Sequence, residues 1–343
     1  MRSIHVLLLL LAGVASVPGP ARAQIADGPT LAAVKAKGFV DCGAGLGTPG
    51  FGYTDSKGIY RGLDADSCRA IAAAVFGDPA KVRFTPLNSA QRLPALQTGQ
   101  VDVLIQTLTW SHSREAAAGL EFAAVNYYDG QGFLVRRSAG LTKAAELDGA
   151  SICTTAGSTS ELNVADWARH AGVTYRAVVF ERNDESRGAY EKGRCDAYST
   201  DASQLAALRS TFPTPDDHII LPDIISKEPL GIAVRKGDDQ WLDIVKWTSY
   251  ALIEAEEQGI TQANVDGFLT SQVPVVRRML GVTGDHGKLM GLDNRWAYWA
   301  IKAVGNYGEV FERNLGEGSP LKLARGRNAL WSKGGLMYAP PIR

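Results

Sequence analysis

The chain has 343 residues, 36 of them basic and 36 acidic, and 45% of them hydrophobic. That length exceeds one ordinary core and predicts two domains. The balanced charge shows no sign of the basic face that a nucleic-acid partner favours.

From the N-terminus, Arg2, an apolar stretch around Leu7–Leu11, the helix breakers Pro18, Gly19 and Pro20, and Ala21-Arg22-Ala23 match an export signal cleaved before Gln24. The apolar run is too short to span a bilayer, and no later stretch is long enough. Phe39–Cys42 reads as a strand, followed by a glycine-rich loop from Gly43 to Gly52. A helix follows Tyr60-Arg61-Gly62-Leu63, with Asp64 as its expected N-cap and Cys68, Ile71, Ala72, Val75 and Phe76 at core spacing. Val82–Thr85 is a strand and Leu93–Thr98 a helix. Val101–Leu108 is a strand apolar enough to be buried on both faces, as in a parallel sheet.

A second unit repeats this grammar. Strands are expected at 151–155, 178–180 and 195–199, and helices at 158–170, 186–192 and 202–209. Alternating strands and helices predict two doubly wound α/β lobes with parallel sheets. Gly132–Val135 and Gly231–Val234 resemble each other and flank this unit, so the chain is expected to cross between lobes twice and form a hinge. A long amphipathic helix follows over 238–258, then a helical, aromatic-rich tail with Trp296, Trp299, Tyr307, Phe311 and Trp331. The expected division is a signal at 1–23, the first lobe at 24–131, the second at 132–230, a return at 231–267 and a C-terminal extension at 268–343.

Cys42, Cys68, Cys153 and Cys195 allow three pairings. If each lobe staples itself the pairs are Cys42–Cys68 and Cys153–Cys195, against the alternative of buried free thiols. No C-x-x-C or H-x-x-x-H spacing suggests a metal. Gly43-x-Gly45 fails as a dinucleotide fingerprint, because the helix that should hold the pyrophosphate starts far beyond the glycines. No nucleophile elbow, P-loop or metal signature points to an enzyme or a cofactor.

Three clusters follow predicted strands, at the edge where α/β sheets bind ligands. Thr107-Leu108-Thr109-Trp110-Ser111-His112-Ser113-Arg114 puts hydroxyls beside one arginine, equipment for a carboxylate. Gly157-Ser158-Thr159-Ser160-Glu161 opens a helix whose free N–H groups attract anions. Asp201, after Asp196-Ala197-Tyr198-Ser199-Thr200, suits an ammonium group. The plain alternatives are a surface arginine for Arg114, an ordinary N-cap at Ser158, and a helix cap for Asp201.

In order and context these clusters resemble the polar amino-acid-binding proteins of ABC importers, solute-binding family 3, over nearly all of the chain beyond the signal. The resemblance implies a type II periplasmic binding protein: two lobes, two crossover strands and a ligand cleft between them. It implies that Arg114 grips the ligand α-carboxylate with Thr107 and Thr109, and that Gly157-Ser158-Thr159 assists. It assigns the α-amino group to Asp201 and an aromatic lid to Phe51 or Tyr53. Asn126–Gly132, the four cysteines, Val304–Glu309 and Gly316–Leu321 are similar to the general L-amino-acid-binding subgroup. Trp110-Ser111-His112 departs from the wider family's Ile/Leu-Thr-Pro.

The implied function is capture of free L-amino acids in the periplasm by a monomer, with broad specificity, and delivery to ABC transporter permease subunits in the inner membrane. Cofactors, catalytic residues, metals and nucleic acid have no part in that reading. The rival on the same scaffold is a cyclohexadienyl or arogenate dehydratase, which needs a general acid such as Glu161 or His112.

Overall fold

The computed structural model describes residues 26–45 and 47–343. The expected export signal lies outside them. Among the described residues, no helix is long and apolar enough to cross a membrane.

The chain opens with α1 (Pro29–Lys37), whose proline sits in its first turn where the missing N–H costs nothing. There follow β1 (Val40–Ala44), a small hairpin of β2 (Tyr53–Thr54) and β3 (Tyr60–Arg61), α2 (Leu63–Phe76), β4 (Val82–Pro86), α3 (Arg92–Gln97), β5 (Val103–Thr109), α4 (His112–Ala116) and β6 (Leu120–Asp129). The second lobe holds β7 (Gln131–Arg136), β8 (Ser151–Thr155), α5 (Thr159–Ala171), β9 (Arg176–Phe180), α6 (Asn183–Glu191), β10 (Ala197–Asp201), α7 (Ala202–Arg209) and β11 (His218–Ile220). The chain then returns through β12 (Glu228–Arg235), α8 (Asp239–Glu257), α9 (Pro274–Met279), α10 (Trp296–Val304) and α11 (Tyr307–Asn314).

The first sheet has the order β4-β1-β5-β12-β6 and the second β11-β7-β10-β8-β9. Both follow one plan. The strands of the β-α-β winding are parallel, as β1 is with β4 and β5, and β8 with β9 and β10. The strand that enters after each crossing, β7 or β12, runs antiparallel to its neighbours. The sheets are therefore mixed rather than parallel throughout. The crossings fall at Gly130, between β6 and β7, and in residues 221–227, between β11 and β12. The ten-residue edge strand β6 was not expected from the sequence.

Asp64 is not the cap of α2. Gly62 occupies the N-cap at φ 116°, where a Cβ would meet the Phe51 carbonyl oxygen at 2.0 Å. Only glycine allows the loop before β2 to lie that close to the helix start. Asp64 instead turns its side chain inward, to the site described below.

The first lobe's core gathers Ile71 of α2, Trp241 of α8 and Trp296 of α10 around one face of its sheet, so the C-terminal extension is part of that core. Arg313 of α11 donates to Asp66 of α2 at 2.8–2.9 Å, and Tyr307 donates its hydroxyl to the Asn126 carbonyl. The second lobe has two smaller clusters, one on each face of its sheet. Disulfides Cys42–Cys68 and Cys153–Cys195 lie within one lobe each.

Candidate functional site

Four strands, β1, β5, β8 and β10, end at the crevice between the lobes, as the rule for open α/β sheets requires. The cavity there has a volume of about 1100 Å³, counted out to its open mouth. Its inner wall is buried and polar. Asp64, Arg92, Thr109, Thr155, Ser160, Asp201 and Gln204 are each less than a tenth exposed, whereas Asn183 and Asp184 at the rim are open to solvent.

The lobes touch across it. Thr109 Oγ1 of β5 lies 3.2 Å from Thr159 Oγ1 of α5. A Cβ added at Gly157 would come 3.3 Å from Ala90 Cα of the opposite lobe. Close approach at this positive-φ turn is a glycine's task.

Thr107, Thr109, Ser158, Thr159, Asp201 and Phe51 all line the cavity. Phe51 is fully buried, edge-to-face with Tyr127 at 5.2 Å, and Tyr127 stacks on Phe311. Tyr53 lies in the β2–β3 hairpin opposite Arg61 and does not line the cavity. Arg114 is buried one step behind the wall, its Nη1 donating to the Thr109 carbonyl at 2.8 Å. Its guanidinium still feels Glu228 and Asp201, which oppose the downward push of burial on its pKa.

Thr107 has φ 40°, a strained value for a β-branched residue. Asp64 holds it there by accepting the Thr107 N–H at 3.0 Å and, through its other oxygen, the Asn126 amide at 3.0 Å. Asp201 occupies the N-cap position of α7 without capping it; its carboxylate accepts from Gln204 Nε2 at 2.6 Å. Ser158 likewise sits at the N-cap of α5 without a side-chain cap, its hydroxyl turned to the Thr155 carbonyl. The first N–H groups of that 13-residue helix thus remain uncapped beside the cavity.

The electrostatics of the site follow first from burial and then from neighbouring charges. Asp201 is pushed well above the carboxylate range, first by burial, then by the neighbouring Asp129 and Glu228. Burial lifts Asp64 to about 6, against the hydrogen bonds from Thr107 and Asn126. Arg92 falls to about 9, first through burial and then through repulsion from Arg114. Its Nη1 is held by the Gln106 carbonyl at 2.8 Å, while its Nε is buried without a hydrogen-bond partner among the described residues. Two buried guanidiniums, Arg92 in the wall and Arg114 behind it, therefore lie near the carboxyl groups of Asp64, Asp201 and Glu228. Burying such groups unpaired is costly, so the arrangement suits a ligand that carries both signs of charge.

Sequence reasoning missed Arg92 and Glu228, and took Asp64 for a cap. Arg92 follows a strand end, which is the one signal that could have flagged it. Neither Glu161 nor the exposed His112 lines the cavity.

The sequence pattern of the bacterial extracellular solute-binding proteins, family 3, matches residues 40–263. This chain belongs to that family. The solute-binding protein is 55% identical over 98% of its length, and 99% of the relative's, to the general L-amino acid-binding periplasmic protein AapJ of Rhizobium johnstonii. It is 52% identical, over 94% of its own length and 95% of the relative's, to the glutamate/glutamine/aspartate/asparagine-binding protein BztA of Rhodobacter capsulatus. Its fold superposes with a TM-score of 0.90 on a periplasmic binding protein from Brucella ovis with glutathione bound, at 54% identity, covering 93% of this chain and 100% of that one.

Proposed function

We propose that the protein captures free L-amino acids in the periplasm, as a monomer with broad specificity, and presents them to the permease subunits of an ABC transporter. The observation that carries this reading is the buried Asp201 carboxylate of the second lobe, at the start of α7 but not capping it, with Arg92 in the first-lobe wall and Arg114 behind that wall. An amino acid head group has an ammonium for Asp201 and a carboxylate for the guanidinium side, where the uncapped N–H groups at the start of α5 add donors. Because the two charges belong to different lobes, a bound zwitterion favours the closed form through its differential affinity. Lobe 2 spans residues 131–220 in this reading, between the two crossings, and the extension belongs with lobe 1.

The names of AapJ and BztA support the ligand class. The glutathione of the Brucella ovis protein supports a wider one. The γ-glutamyl end of that peptide keeps a free α-amino and a free α-carboxyl group, so the same clasp can hold it. The rest of the peptide would run toward the open rim at Asn183 and Arg187. The dehydratase reading gains nothing, since neither acid nominated for it lines the cavity.

A thermal-shift screen of the twenty L-amino acids with D-isomers and glutathione tests the proposal, because a ligand stabilises the form it binds by mass action. Several L-amino acids should raise the melting temperature and their D-isomers should not. No response to any L-amino acid would overturn it.

A further inference from the structure

Glu228 sits at the first residue of β12, directly after the second crossing, and is 1% exposed. It does not line the cavity. Its Oε2 accepts from the Thr109 hydroxyl of the first lobe and from the Thr159 hydroxyl of the second at 3.0 Å. Its Oε1 accepts from the Asn163 amide and from the Ser226 hydroxyl, both at 2.6 Å. One buried anion thus ties together a strand end of lobe 1, the first two turns of α5 in lobe 2 and the connecting segment.

We infer that Glu228 is a closure latch: a positioning residue that holds α5 against β5 when the lobes meet and orients the Thr109 and Thr159 hydroxyls without touching the ligand. Rotation of the lobes about the crossings would pull Thr159 and Asn163 away from the carboxylate while Thr109 stayed near it. The bonds from α5 therefore exist in the closed form and are lost in the open one. They add to closure whatever the ligand's side chain. The latch also sets the polarity of the wall. A hydroxyl has one proton, and Thr109 and Thr159 both give theirs to Glu228. Their lone pairs are left to accept from an ammonium, which leaves the ligand carboxylate to N–H donors. Asn163 is held in turn by Gln131 Oε1 at 2.9 Å, so the latch is anchored in the second lobe's first strand.

The inference rests on the head-group reading above. The test measures affinity by calorimetry and dissociation by stopped flow, for the wild type, Glu228→Ala and Asn163→Ala, against three amino acids that the wild type binds. Glu228→Ala should weaken all three by a common factor of at least about tenfold, as expected for charge-assisted bonds, with the change in the dissociation rate. Asn163→Ala should weaken them less, in the same sense, with ligand ranking and one-to-one stoichiometry intact. If Glu228→Ala does not fold, Asn163→Ala carries the test, because it removes one arm and leaves the anion in place. Affinities within about twofold of wild type overturn the latch, as do losses that differ between ligands by more than about threefold, which would mean direct contact. A wild type that binds no amino acid removes the head-group reading and the latch together; binding unaffected by the variants removes the latch alone.

Discussion

The two lobes share a strand plan but not a weight. The first wraps α2, α8, α10 and α11 around one large core, in which Trp241, Trp296 and Phe311 are buried. The second has only α5, α6 and α7 and two thin clusters, one on each side of its sheet. A heavy half and a light half suit a clamp. The first lobe sets Asp64 and Arg92 in the cavity wall with Arg114 behind it, while the second brings Asp201 and the α5 N-terminus to the other side. The bulk of the buried apolar core lies in one lobe, while the polar cavity draws its lining from both.

The largest expected effect breaks the sharing of charge between the lobes. Arg114→Ala in the first lobe and Asp201→Ala in the second should each cost about 3–5 kcal/mol of binding, as for one broken member of a buried pair. That is roughly 100-fold to several thousand-fold in affinity by calorimetry. If both variants bind within about threefold of wild type, the charges do not clasp the ligand.

Next in size is the contrast between the cores. The disulfides span separations of 26 and 42 residues, so chain entropy alone separates their contributions by only about 0.4 kcal/mol. Replacing Cys153 and Cys195 together with Ala should cost about 2–4 kcal/mol and unfold the light lobe first, visible in calorimetry as a split transition. The Cys42→Ala/Cys68→Ala variant should lower a single transition instead. Identical profiles would mean that the lobes do not differ in robustness.

The smallest effect concerns acid. Asp64 in the first lobe is raised to about 6, and Asp201 in the second is raised too, both chiefly by burial. A carboxyl whose folded value exceeds its unfolded value near 3.9 adds stability that is fully present below 3.9. That stability is lost as pH climbs through the raised value. The ligand-free protein should therefore melt lower at pH 7 than at pH 5, by roughly 1–2 °C for each kcal/mol lost in a chain of this length. An amino acid, whose ammonium favours the ionised Asp201, should bind more tightly over the same rise. A ligand-free melting temperature that rises between pH 5 and 7 would contradict the raised values.

Much of this was legible before any coordinates. Ser151–Thr155 and Ala202–Arg209 were read residue for residue, because continuous burial and a following helix leave a strand little freedom. Six of the eight nominated site residues line the cavity, because each lies at the end of a strand or in the loop or helix start that follows one. What the sequence hid were features whose logic is tertiary. The edge strand β6 pairs only with β12, across two register shifts, and has no adjoining helix winding to announce it. Arg92 looks like any surface arginine opening a helix until Gln106, Arg114 and Asp201 surround it. Glu228, between a lysine and a proline, reads as a solvated turn, yet its partners come from residues 109, 159, 163 and 226. Arg114 carries the motif but stands behind Thr109, a depth that spacing along a chain does not encode.

The run of rings Phe51, Tyr127 and Phe311, edge-on at its first contact and stacked at its second, has a consequence for how the molecule is made. A chain emerging N-terminus first has its whole cavity wall in hand once Leu208 has appeared. The Tyr127 ring that backs Phe51 nevertheless has no ring behind it until Phe311 arrives, and Asp66 waits as long for Arg313. A chain cut off before α11 would keep every residue that lines the cavity and lose the ring behind Tyr127.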